Sequence, residues 1–147
     1  MMNSGPTGEG LPRDFQSDAS ERDGRSGTNR AIIVAASPID RIVIARTIER
    51  IYLKPMPIPP ESLLETLRRK TRIVIIDALK QEEVIEPLLA ELARQRQAAK
   101  GSPRVLMIVE PDQHHLFKTR TDAVDATFVR PITPDRLQRA IERVLNS

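Results

Sequence analysis

Cysteine and tryptophan are absent from this 147-residue chain, tyrosine occurs once and phenylalanine three times. Without thiols there are no disulfides and no thiolate metal sites, which fits a cytoplasmic protein. So few aromatics offer no stacking platform for bases. Glycine is nearly as informative. Five of the six (Gly5, Gly8, Gly10, Gly24, Gly27) precede residue 28, and only Gly101 follows. One glycine cannot build a P-loop or a Gly-x-Gly-x-x-Gly turn, so nucleotide cofactors are not expected. There is no Gly-x-Ser-x-Gly and no histidine–carboxylate spacing suited to a metal. These absences together predict a non-enzyme with no cofactor, no metal and no small-molecule substrate. No run approaches the roughly 18 apolar residues of a membrane span, and no apolar stretch follows the opening methionines as a signal peptide requires.

Residues 1–29 mix the glycines with Ser, Asp, Glu, Arg and Thr and hold almost nothing large or β-branched. Such a stretch cannot bury enough surface to offset its ordering entropy, so a disordered N-terminal tail is expected there and one domain over 30–147. Three arginines against five acids give the tail a net charge of −2, which leaves +5 of the chain's +3 to residues 30–147. The basic excess suits an acidic partner or weak nucleic-acid contact.

From Arg30 onward, strand-like and helix-like segments alternate. Ala31–Ala36 is a continuous apolar run, and Ser37-Pro-Ile-Asp40 then marks a helix start reaching about Tyr52. Leu53–Pro60 carries four prolines and can supply only a short edge strand. Glu61–Lys70 reads as a short helix with Leu63, Leu64 and Leu67 inward, and Arg72–Asp77 as a β-branched strand closed by an acid. Residues 78–85 read as a loop. Pro87 would break a helix interior, which places it in the first turn of a helix over about 86–99, stopped by Gly101. Val105–Val109 and Ala126–Val129 are strands. Between them Pro111–Ala123 has little to bury beyond Leu116, Phe117 and Ala123. Thr133-Pro-Asp caps a last helix whose Leu137, Ala140, Ile141, Val144 and Leu145 form one apolar stripe.

Continuously apolar strands, each followed by a helix-sized segment, imply a parallel sheet covered on both faces: a flavodoxin-like, doubly wound, five-stranded α/β fold. Function in such sheets gathers at the carboxyl ends of the strands. Those ends carry Ala35-Ala36, the segment near Ile58, Asp77, Val109-Glu110 and Arg130-Pro131.

Over residues 30–146 the sequence resembles the response-regulator receiver family, the CheY-like modules of bacterial two-component signalling. The likeness rests on Ile33-Val-Ala-Ala-Ser-Pro38 with Arg41, on Ile73-Val-Ile-Ile-Asp77, and on Val129-Arg-Pro131 followed by Pro134-Asp-Arg-Leu137. It implies a cis Arg130–Pro131 bond and makes Asp77 the equivalent of the phosphoacceptor. The departures imply more. The two magnesium-binding acids of a working receiver fall on Ala35 and Ala36, its hydroxyl on Val109, its aromatic switch residue on Thr127, and its lysine on Arg130. The family's residues after the aspartate are missing from Ala78–Glu86. A hard dication needs several oxygen ligands, and two methyl groups provide none.

The resemblance therefore implies a degenerate pseudo-receiver that acts by phosphorylation-independent contact with another signalling protein, or with itself. The alternative is an unorthodox regulator still phosphorylated on Asp77 by a histidine kinase or phosphotransfer protein. A nucleic-acid domain is disfavoured for want of a helix-turn-helix pattern. Arg130 is the expected partner of Asp77, gripping it through two hydrogen bonds and lowering its pKa. His114 and His115 diverge by about 100° on a helix and read as surface residues, not ligands. In receivers the face of helix four, strand five and helix five commonly meets partners. Here it would present Lys118, Arg120, Arg136, Arg139 and Arg143, which calls for an acidic patch opposite.

Overall fold

The computed structural model describes residues 29–77, 82–100, 102–117 and 120–147, with the backbone alone for 82–84. The expected tail (apart from Asn29), Gly101 and Lys118 lie outside the described residues. The elements run β1 (Arg30–Val34), α1 (Pro38–Arg50), β2 (Lys54–Pro57), α2 (Leu63–Thr66, after a 3₁₀ turn at Pro60–Ser62) and β3 (Ile73–Asp77). They continue α3 (Glu82–Ala98), β4 (Arg104–Val109), α4 (His114–Phe117, after a 3₁₀ turn at Pro111–Gln113), β5 (Ala126–Val129) and α5 (Pro134–Leu145). The strands form one parallel sheet in the order β2-β1-β3-β4-β5.

Alternation along the strands sorts side chains into two cores. Ile32, Val34, Val74, Ile76, Val105 and Met107 meet the leucines of α2 and α3. On the other face Ile33, Ile73, Ile75, Leu106 and Ile108 meet Ile44 and Ile48 of α1 and Leu137, Ile141 and Val144 of α5. Both faces being covered explains why β3 and β4 read as unbroken apolar runs. Removing such a buried side chain, as in Ile75→Ala, costs about 2–5 kcal/mol. The proline-rich β2 pairs only with β1, the edge position its missing N–H donors require.

Several expectations need correction. Leu64, read as inward, is exposed, because a helix of one turn can aim only Leu63 and then Leu67 at the core. Helix α3 begins at Glu82, inside the expected loop, and Pro87 falls at its sixth position. The lost N–H then removes one helical hydrogen bond near the N-terminal end. The left-handed residue after α3 is Lys100 (φ 59°), one position before the glycine expected to stop it. Thr133 stands at the N-cap of α5 in extended conformation but makes no side-chain cap bond. Ser37 does cap α1, its Oγ accepting from Asp40 N at 3.3 Å. Among its described residues the 111–123 stretch holds the 3₁₀ turn and the one-turn α4, as its thin apolar pattern suggested. Among the described residues no helix is long and apolar enough to cross a membrane.

Candidate functional site

At the carboxyl edge of the sheet, β3 delivers Asp77, the first turn of α1 delivers Asp40, the end of β4 delivers Glu110, and the residue after β5 is Arg130. The Asp77 side chain is fully buried. Arg130 Nη2 donates both to Asp77 Oδ2 and to Asp40 Oδ2, the latter at 2.8 Å. Glu110 Oε2 lies 3.3 Å from Arg130 Nε, close enough for attraction but not aligned for a hydrogen bond, and Nε makes none. One guanidinium is thus shared among three carboxylates, whereas the sequence suggested a two-bond grip on Asp77 alone. Burial pulls the Arg130 pKa down, but the Asp40 hydrogen bond and the charges of Asp77, Asp40 and Glu110 together hold it above the ordinary guanidinium value.

Local rules explain each placement. Asp40 sits in the first turn of α1, where free N–H groups favour an acid. Glu110 heads the 3₁₀ turn, and its N–H is held by Gln113 Oε1 at 3.0 Å. The Arg130–Pro131 peptide is cis, as the resemblance implied. Asp40 and Glu110 were legible as a helix-start acid and a strand-end acid, but nothing in their spacing joined them to Arg130.

Ala35 is buried and Ala36 exposed just past β1, where two acids would be needed for a dication. Their carbonyls are occupied by Arg41, whose Nη1 lies 2.9 Å from Ala35 O and 3.3 Å from Ala36 O. A second guanidinium is therefore held just past the end of β1. Val109, the last residue of β4, is fully buried and has no hydroxyl to offer, and Thr127 is half-buried in β5. Among the described residues no group of His, Cys, Asp or Glu could hold a metal ion, and His114 and His115 are both exposed.

The second candidate surface is only partly available. Arg120 is engaged by Glu86 and Asp122. Arg136 donates to Pro131 O at 2.7 Å and stacks 4.8 Å over the Phe128 ring, which ties α5 to the loop after β5. Arg139 and Arg143 are exposed and make no ion pair among the described residues. With Thr127, Val129 and Ala140 they border a groove of about 330 Å³ along the outer edge of β5.

No protein-family model matches the chain, and no curated protein matches its sequence. Solved structures do share its fold. A response regulator from Thermotoga maritima is 17% identical, with TM-score 0.65 over 82% of this chain and 99% of that one. The chemotaxis response regulator CheY4 of Vibrio cholerae is 15% identical, with TM-score 0.65 over 80% and 98%. A sensor protein from Polaromonas sp. JS666 is 16% identical, with TM-score 0.66 over 80% and 95%. The chain spans nearly the whole of each, and its fold is that of the response-regulator receiver.

Proposed function

We propose that this chain is a pseudo-receiver of two-component signalling, which transmits by binding another signalling protein and not by accepting a phosphoryl group. One observation carries the reading: Arg130 occupies the carboxylate cluster at Asp77, while Ala35 and Ala36 follow β1. Phosphoryl transfer is mostly positioning and charge neutralisation. Here the neutralising charge is built into the chain, and the acceptor carboxylate has no exposed side-chain surface. Arg139 and Arg143 on the β5–α5 groove are the cations best placed to meet an acidic partner, since a guanidinium can grip a carboxylate through two hydrogen bonds.

The test is an NMR titration with millimolar Mg²⁺ and a beryllofluoride phosphoryl mimic. The amide resonances of 35–41, 77, 110 and 130 should not move. Saturable shifts centred on Asp77 would overturn the reading and favour a phosphoacceptor served by a histidine kinase or phosphotransfer protein.

A further inference from the structure

The opposite edge of the sheet carries a feature the proposed function does not use. Lys54 and Arg30 open β2 and β1, and Arg72 immediately precedes β3. The parallel register aligns them: Lys54 lies opposite Arg30, and the Arg72 N–H donates to Arg30 O at 2.9 Å. Neighbouring strands are about 4.8 Å apart, so the backbone fixes three cations in a row. The α2–β3 loop adds Arg68, Arg69 and Lys70, all exposed, on the wall of a groove of about 210 Å³. None of these six forms an ion pair among the described residues, although Glu49 and Glu65 are close in sequence. By contrast Arg104, the next cation along the edge, is neutralised by Asp125.

A cationic row alone is a solvated face, but here an exposed aromatic ring follows α1, two residues ahead of Lys54 in the chain. Tyr52, the chain's single tyrosine, lies two residues before Lys54 and is 91% exposed. Its backbone is left-handed (φ 65°), a conformation unfavourable for a bulky residue. An exposed ring close in the chain to cations that form no ion pair among the described residues resembles the pairing of stacking platform and electrostatic track that binds single strands. Counting aromatics in the sequence argued against a base-stacking surface. One ring, however, is enough for one base when the track beside it holds the backbone.

We propose that the amino edge of the sheet binds single-stranded nucleic acid, its phosphates along Lys54, Arg30, Arg72 and the Arg68–Lys70 loop and one base stacked on Tyr52. Sequence preference should be weak, since phosphate contacts and stacking do not read base edges. This surface is remote from Asp77 and Arg130, and the inference stands whether or not the pseudo-receiver reading does.

The test is fluorescence anisotropy of the full chain with labelled 12-nucleotide DNA and RNA strands across a salt series, each variant first shown folded by its circular-dichroism melt. Three to six neutralised phosphates predict a log–log salt slope of about −2 to −4. Lys54→Glu with Arg72→Glu should weaken binding at least tenfold and flatten that slope. Tyr52→Ala should weaken it about fivefold or more at an unchanged slope, because stacking releases no counterions, and Tyr52→Trp should restore it. Arg46→Glu with Arg94→Glu, on the exposed sides of α1 and α3, makes the same charge change elsewhere and should leave affinity unchanged. The proposal is overturned by absence of saturable binding, by Tyr52→Ala binding as wild type, by equal loss in the Arg46/Arg94 control, or by preference for anionic phospholipid vesicles over the strands.

Discussion

Arg130 serves three acids with one guanidinium, and that ratio decides how the site responds to change. Replacing it by alanine leaves Asp77 buried beside Asp40 and Glu110 with no countercharge from that position, and breaking a buried pair from one side typically costs about 3–5 kcal/mol. Arg130 is partly exposed, so about 2–4 kcal/mol is expected in urea denaturation of Arg130→Ala. Arg130→Lys should recover part of this, since an ammonium keeps the charge but not the planar fork. The pH dependence follows from the raised Arg130 pKa. A raised folded value means its contribution is complete below the unfolded pKa and is lost only as pH climbs through the folded one, beyond the usual working range. Arg130 itself therefore adds no pH dependence between about 3 and 8. Asp77→Asn should flatten the acid limb of the stability curve; an unchanged limb would show that the Asp77–Arg130 bond contributes nothing. The sequence made this pair legible because both residues end strands. It could not reveal Asp40 and Glu110 as partners, since tertiary geometry and not spacing brings them in.

At the scale of elements, the strands were the most legible part, because burial on both faces leaves an uninterrupted apolar run that nothing else in so short a segment imitates. Helix ends were the least legible. The pattern put Pro87 in a first turn, where proline is tolerated, but α3 starts four residues earlier and carries the proline as an internal defect. The two readings separate experimentally. Pro87→Ala in a first turn would be nearly neutral, whereas at the sixth position it should stabilise the protein by about 1–3 kcal/mol. The end of α1 gives a companion case. Tyr52 holds a left-handed conformation that Gly or Asn adopts more readily, so Tyr52→Asn should raise stability by about 0.5–1 kcal/mol. The same substitution removes the stacking ring at the amino edge. Stability gained together with strand affinity lost is the joint outcome expected if the strain is kept for binding.

Across the whole molecule the two edges of the sheet are opposite in charge and in order. Acids gather around a captive guanidinium at the carboxyl edge, and cations that form no ion pair among the described residues line the amino edge, a polarity hidden in a net charge that merely reads as basic. Cohesion is uneven as well. The central strands β1, β3 and β4 are buried on both faces, and Arg96 ties α3 to Asp125, which in turn accepts from the Val105 N–H at 2.7 Å. The stretch from Pro111 to Ala123 contributes one helical turn, with Phe117 and Ala123 as its apolar anchors. Local opening free energies scale with such anchoring. Native-state hydrogen exchange should therefore show amides of β3 and β4 opening only with global unfolding, and amides of Leu116, Phe117 and Ala123 exchanging at least a hundredfold faster after correction for intrinsic rates. Equal protection across both regions would mean that α4 is held by something other than its two anchors. The difference bears on function, because a weakly held α4 beside the Arg139–Arg143 groove can order when an acidic partner arrives. Binding on that groove should then slow exchange in 112–117 while leaving β3 and β4 unchanged. Slowing confined to α1 would instead place the working surface on the Ile39–Ile51 helix, whose Ile39 and Ile42 are also exposed.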